Sequence, residues 1–199
     1  STHFADLTVV CPVKYRYAIL AIELDGILHL ESKSDFDIPN VITNPFLQQF
    51  VHVGRSTVVD NSRILTEWSA PDTLQSDIIS YAIFRKQENG NFELIANVPP
   101  LQRYYIDADV NVNTTKYTYQ IVAQNACGAE SGLGITGDNV VLSIDQSLEL
   151  YNLLEWTPYL GWGEGGVDFY MVEEQNVDGT WQSVISLPGN TNSYLDENH

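Results

Sequence analysis

The chain has 199 residues, 44 % of them hydrophobic and 11 % aromatic, enough to bury a core in each of two units of roughly 90–100 residues. Its formal net charge of −17, with 9 Lys+Arg scattered singly, argues against nucleic acid or an anionic membrane as the main partner, because both demand cationic patches. No run of about 18 apolar residues occurs, so no membrane insertion is expected.

In chain order, residues 13–22 alternate Tyr15, Tyr17, Ile19 and Ala21 on one face, the period of a strand. Leu24-Asp25-Gly26 is a hairpin turn, and residues 27–32 are the returning strand. Prolines in Ile38-Pro39-Asn40 and Asn44-Pro45 mark a linker, since proline stops ladder pairing. Residues 46–59 supply an opening strand pair interrupted at Gly54, and Asp60-Asn61-Ser62 turns into a strand over 63–68 that ends in Trp68. After a loop over 70–77 come a strand over 78–86, a turn at Glu88-Asn89-Gly90, a strand over 91–96, a stop at Val98-Pro99-Pro100 and a short strand over 104–107. Residues 117–124 repeat the opening pattern, with Tyr117 and Tyr119 both offset by 102 from Tyr15 and Tyr17; residues 130–135 are expected to complete seven strands.

A second copy then begins, with strands expected over 140–145, 148–156, 167–173, 180–187 and 193–196. Trp156, Tyr170, Trp181, Tyr194 and Asp196 stand where Trp68, Tyr81, Phe92, Tyr105 and Asp107 stood, at offsets of 88 for the first pair and 89 for the rest. A repeat of that length is a domain-sized unit rather than a solenoid turn. Short strands with turn signals every 8–12 residues and no useful helical period argue β-sandwiches. The boundaries expected are the C-terminal part of one module over 1–38, a complete module over 39–139 and the N-terminal part of a further module over 140–199. The strands missing from the first and last pieces are expected from residues outside this sequence, and closure of the first piece on the last within one chain is not expected. The core of the complete module should be Trp68, Tyr81, Ile83, Tyr117, Tyr119 and Ile121.

These residues resemble tandem fibronectin type III modules: a tryptophan ending the second strand (Trp68, Trp156), a tyrosine opening the third (Tyr81, Tyr170), and Tyr-x-Tyr-x-Ile-x-Ala on the sixth (Tyr117, Tyr119, Ile121, Ala123). The resemblance implies all-β, immunoglobulin-like sandwiches, with Tyr117 as a tyrosine corner whose hydroxyl bonds backbone upstream. Finer features are similar to the modules that precede the C-terminal (type B) sorting domain of gliding-motility-associated, type IX-secreted surface proteins of Bacteroidetes. They are Val58-Val59-Asp60-Asn61-Ser62-Arg63-Ile64, Tyr159-Leu160-Gly161-Trp162 followed by Gly166-Val167-Asp168-Phe169-Tyr170, and Tyr194-Leu195-Asp196. That resemblance implies export across the outer membrane, residence at the cell surface or outside it, and contact with the secretion machinery in transit.

Candidate chemistry is sparse. Asp107-Ala108-Asp109-Val110-Asn111-Val112-Asn113 alternates oxygen ligands like the front of a calcium loop, but Val112 and Thr118 stand where an EF-hand needs glycine and a carboxylate. The plainer reading is a strand crossing with Asp107 bonding local amides, and no metal or other cofactor is expected. Tyr159 and Trp162, with Gly161, Gly163, Gly165 and Gly166, form an aromatic loop suited to stacking a sugar or a peptide; the alternative is Trp162 folded back over the sandwich edge. Asp72-Thr73-Leu74 resembles the acceptor for O-glycans on exported Bacteroidetes proteins, at Thr73, and is otherwise an ordinary turn. His3, His29, His52 and His199 lack partners at zinc-ligand spacing. No nucleophile elbow or phosphate loop occurs, and Glu173-Glu174 point to opposite faces of a strand, so no catalytic residues are expected. Cys11 precedes the strand near Tyr15 and Cys127 lies in the hairpin after Val122-Ala123; the expected topology brings both to one junction, where they would form a disulfide, the alternative being two packing residues.

The function expected is a non-catalytic spacer or adhesin-type segment whose partners are neighbouring modules of the same chain. The rivals are a glycan- or protein-binding module using the loop of residues 159–166, and an accessory region of a secreted hydrolase.

Overall fold

The structure is a computed structural model that describes residues 15–22, 28–33, 50–70, 78–126, 128–145, 151–162 and 166–197. Among these residues every regular element is a strand.

Two strands, β1 (Ala18–Ile22) and β2 (Leu28–Lys33), pair antiparallel as a sheet of their own. Seven follow: β3 (His52–Val59), β4 (Arg63–Ser69), β5 (Ile78–Gln87), β6 (Glu93–Val98), β7 (Tyr104–Asp107), β8 (Tyr117–Asn125) and β9 (Gly137–Asp138). They form two sheets, β3-β4-β7 and β6-β5-β8-β9. The fourth strand, β6, pairs with the third instead of crossing to the first sheet, which gives the three-plus-four fibronectin type III arrangement rather than the immunoglobulin constant one.

Local chemistry sets these elements. Asp60 and Asn61 both have positive φ (51° and 49°), and the Ser62 N–H closes on the Val59 carbonyl at 3.3 Å, so the β3–β4 hairpin turns through the type I′ geometry that these residue types tolerate. Alternation along β4 and β8 sends Ile64, Thr66 and Trp68, and Tyr117, Tyr119, Ile121 and Ala123, into the space between the sheets. All six expected core residues are buried there, joined by Val51, Val53, Ile78, Val98 and Val112. Trp68 meets Tyr81 edge-on, centroids 5.5 Å apart at 62°, a geometry the aromatic quadrupoles favour. The Tyr117 hydroxyl accepts the Asn111 N–H at 3.0 Å, the contact expected of a tyrosine corner.

One strand is displaced from its expected place. Residues 130–135 make isolated bridges, Gln124 with Glu130 and Phe50 with Gly132, and the seventh strand lies later, at Gly137–Asp138. The reason is close backbone approach: a Cβ on Gly134 would sit 1.9 Å from the Val51 carbonyl oxygen, so this segment runs against the β3 side before β9 pairs with β8.

The second copy repeats the first to the level of single hydrogen bonds. Its strands are β10 (Leu142–Asp145), β11 (Asn152–Trp156), β12 (Phe169–Gln175), β13 (Trp181–Pro188) and β14 (Ser193–Asp196), in sheets β10-β11-β14 and β12-β13. Trp156 meets Tyr170 at 5.5 Å and 62°, as Trp68 meets Tyr81. The Trp68 N–H donates to Arg103 O and the Trp156 N–H to Asn192 O. Asp107 pairs across from Ile64, and Asp196 from Asn152, both acids buried. The chain therefore holds tandem sandwich units of fibronectin type III form.

Candidate functional site at the junction of two sandwiches

Only Asn139, Val140 and Val141 separate β9 from β10, and the two that flank Val140 are held by side-chain bonds. Asn139, fully buried, accepts the Tyr117 N–H at 2.7 Å and donates to the Thr115 carbonyl at 3.3 Å. Val141 donates its N–H to the Thr157 hydroxyl at 2.9 Å and accepts the Thr157 N–H at 3.0 Å. One residue is thus fastened to the complete sandwich and its near neighbour to the next.

Two bridges then cross the junction. Asp138, only 2 % exposed, takes an ion pair from Lys116 Nζ at 2.6 Å and accepts the Leu160 N–H at 3.1 Å. Lys116 also donates to the Pro158 carbonyl at 2.5 Å, so one buried pair in the complete sandwich grips residues 158–160 of the next. The second bridge is aromatic. Tyr159 packs on Trp162 with centroids 4.7 Å apart, and the Trp162 indole N–H donates to the Gly54 carbonyl at 2.9 Å. Gly54 sits at the irregularity in β3 between Val53 and Arg55, the interruption visible in the sequence. The Tyr159 N–H donates to the Tyr170 hydroxyl at 2.9 Å, fastening the loop to the Trp156–Tyr170 pair. Burial first, and the neighbouring Asp138 charge second, push the Tyr159 phenol up to about 12. A Cβ on Gly161 would stand 2.7 Å from both Thr136 O and the Tyr159 hydroxyl, so this position requires glycine.

Of the loop flagged as a ligand candidate, Leu160 and Trp162 bond to the complete sandwich, with Tyr159 and Trp162 brought together and Trp162 about half exposed, while Gly163 and Gly165 lie outside the described residues. Cys11, Cys127 and Thr73, the disulfide and glycan candidates, lie outside the described residues. At the would-be calcium loop, Asp107 is engaged by protein: its Oδ2 takes Arg85 Nη1 at 2.8 Å and the Tyr119 hydroxyl at 2.9 Å, and its Oδ1 takes the Asp109 N–H at 3.1 Å. Burial opposes the charge on Arg85, but the Asp107 bond and charge prevail and hold it above its ordinary value. Tyr119 is raised by burial and then by Asp107. Among the described residues no group of three or more His, Cys, Asp or Glu gathers at metal-binding range. Asp138 and Lys116 were not singled out by sequence reasoning; the only local signal was the polar run Gly137-Asp138-Asn139, which reads as a turn.

No family model matches the chain, and no curated protein matches it. Solved structures resemble it at low identity. A pectate lyase, Pel3, from Pectobacterium carotovorum shares 14 % identity over 48 % of this chain and 28 % of its own, TM-score 0.38. A β-1,2-glucanase from Parabacteroides distasonis shares 18 % over 58 % of this chain and 16 % of its own, TM-score 0.39. A two-domain fibronectin type III segment of chicken tenascin shares 20 % over 75 % of this chain and 81 % of its own, TM-score 0.35. The chain spans less than a third of the length of either enzyme. No property of those proteins transfers at such scores; the fold assigned to residues 50–138 rests on its strand order and registers.

Proposed function

We propose that this chain is a non-catalytic spacer of adhesin type in a secreted or cell-surface bacterial protein exported by the type IX system. In this reading residues 39–139 are a whole fibronectin type III module, with parts of its neighbours over 1–38 and 140–199. Its partners are neighbouring modules, and the secretion machinery during transit. The observation that carries the spacer reading is the junction: a three-residue connection clamped by Lys116–Asp138–Leu160 on one side and Trp162–Gly54 on the other. Relative motion is the default for joined modules, and here a three-residue connection, a buried ion pair and an indole hydrogen bond across the joint oppose it. The two charged groups of that joint, Lys116 and Asp138, are both engaged by the chain itself, which suits holding rather than turnover. The export route rests on sequence resemblance alone.

A second reading is favoured by one feature: Trp162 remains half exposed beside Tyr159, so a sugar or peptide has an aromatic face to stack on. A glycan array probed with the chain and with Trp162→Ala separates the two. A spacer leaves both arrays blank; a signal that disappears in Trp162→Ala converts the assignment to a binding module.

A further inference from the structure

In the complete sandwich one ladder bond is supplied by a side chain. Residues 132–135 run parallel to the start of β3: Phe50 bridges Gly132, and the Val53 N–H donates to the Ile135 carbonyl at 2.9 Å. A regular parallel ladder would return the Ile135 N–H to the Val51 carbonyl. Gly134 stands against that carbonyl instead, where a Cβ would fall 1.9 Å from the oxygen. The Ile135 N–H donates to His52 Nδ1 at 3.0 Å, so the imidazole takes the place of a backbone acceptor.

Nδ1 accepts only while it carries no proton, which puts the proton of the neutral ring on Nε2. In the charged ring both nitrogens are donors, and Nδ1–H would meet the Ile135 N–H. A free imidazole passes between these forms at about pH 6.5. His52 is exposed, so protons reach it from solvent. Its partner across β4, Ser69, is neutral, and the next charges along those strands, Arg55 and Glu67, are paired with each other. On the facing segment Leu133, Gly134, Ile135 and Thr136 are neutral, and the Glu130 carboxylate takes the Gln124 amide. The Phe50 ring packs tilted beside the imidazole, centroids 6.3 Å apart. We propose that His52 is a pH-sensitive latch: neutral, it fastens residues 132–135 to β3, and protonated, it releases them. The segment runs directly into Gly137 and Asp138 of β9, and its Thr136 carbonyl lies 2.7 Å from where a Gly161 Cβ would stand, so the latch sits beside the junction.

Amide hydrogen exchange of the 199-residue chain, followed by NMR at about pH 7.5 and about pH 5, either side of the imidazole range, tests this. Corrected for the intrinsic pH dependence of exchange, protection of the Ile135 and Val53 amides falls about tenfold or more at the lower pH. His52→Asn puts an amide oxygen in place of Nδ1 and accepts in both conditions, so its Ile135 protection stays within about twofold across them. His52→Leu shows the low protection at both. In the wild type at the higher pH, the ring nitrogen shifts of His52 report a proton on Nε2 and none on Nδ1. An Ile135 amide indifferent to pH in the wild type, a loss that persists in His52→Asn, full protection in His52→Leu, or a proton on Nδ1 at the higher pH each overturns the proposal. Unchanged amide shifts along β5 and β8 certify that the variants are folded; where one is not, the wild-type pH profile and nitrogen shifts decide.

Discussion

Replacing Asp138 by asparagine removes one charge from the junction and almost nothing else. The Asn Oδ1 can still accept the Leu160 N–H, so the loss falls on the 2.6 Å pair with Lys116. Lys116 is 11 % exposed and Asp138 4 % by side chain, so the ammonium is left buried with the Pro158 carbonyl as its remaining partner. Breaking one side of a buried pair costs about 3–5 kcal/mol, and the retained carbonyl places this case near about 3. At an m-value of roughly 1–1.5 kcal/mol/M in urea, that is a fall of about 2–3 M in the unfolding midpoint. Lys116→Met on top of Asp138→Asn removes the stranded charge and should restore about 1–2 kcal/mol, a coupling that a double-mutant cycle by urea titration reads directly. A single-variant cost below about 1 kcal/mol, or additive effects, would show that the pair is not the clamp described.

Other outcomes follow from the same contacts. Trp68→Ala should cost about 3–5 kcal/mol, most of the stability of such a unit, and a thermal melt within a few degrees of wild type would refute its place in the core. Arg85→Met strands the buried Asp107 carboxylate and should cost about 3 kcal/mol, whereas Tyr119→Phe, which leaves Arg85 in place, should cost about 1–2, both read by urea titration. Tyr159 has a folded-state pKa raised from 10.0 to about 12, so its contribution to stability is complete below about pH 10 and is lost as pH rises from there through about 12. Tyrosinate absorbance should show this phenol titrating late, and Trp162→Ala, by opening its packing, should move it down. Calcium at millimolar concentration should leave the melting temperature unchanged, because Asp107 is already engaged by Arg85, Tyr119 and its own loop.

Much of the fold was legible because strand alternation writes the buried face into the sequence. Tyr117, Tyr119, Ile121 and Ala123 announce their own interior, and the 89-residue echo of Tyr81 in Tyr170 announces the second unit. The last strand was misplaced because Gly132 and Gly134 carry no side-chain pattern, and the role of Gly134 is the approach of a distant backbone. The junction was only half visible. Tyr159 and Trp162 stood out as aromatics, but their partners could not be read from spacing: Gly54 lies 108 residues from Trp162, and Asp138 contributes to a pair with Lys116 that no local period encodes. Periodicity reports which face of a strand is buried and is silent about which polar atom lies across a joint.

Stiffness of the junction is the claim on which the spacer reading stands, and residual dipolar couplings measure it without added labels. Backbone N–H couplings from residues 50–138 and from residues 151–197 are fitted separately to the structure. One alignment tensor, equal in magnitude and orientation for both sets, is the predicted result, with the sets diverging in Asp138→Asn and Trp162→Ala. Two tensors of clearly different magnitude in the wild type would mean that the sandwiches reorient freely across residues 139–141, and would contradict the account.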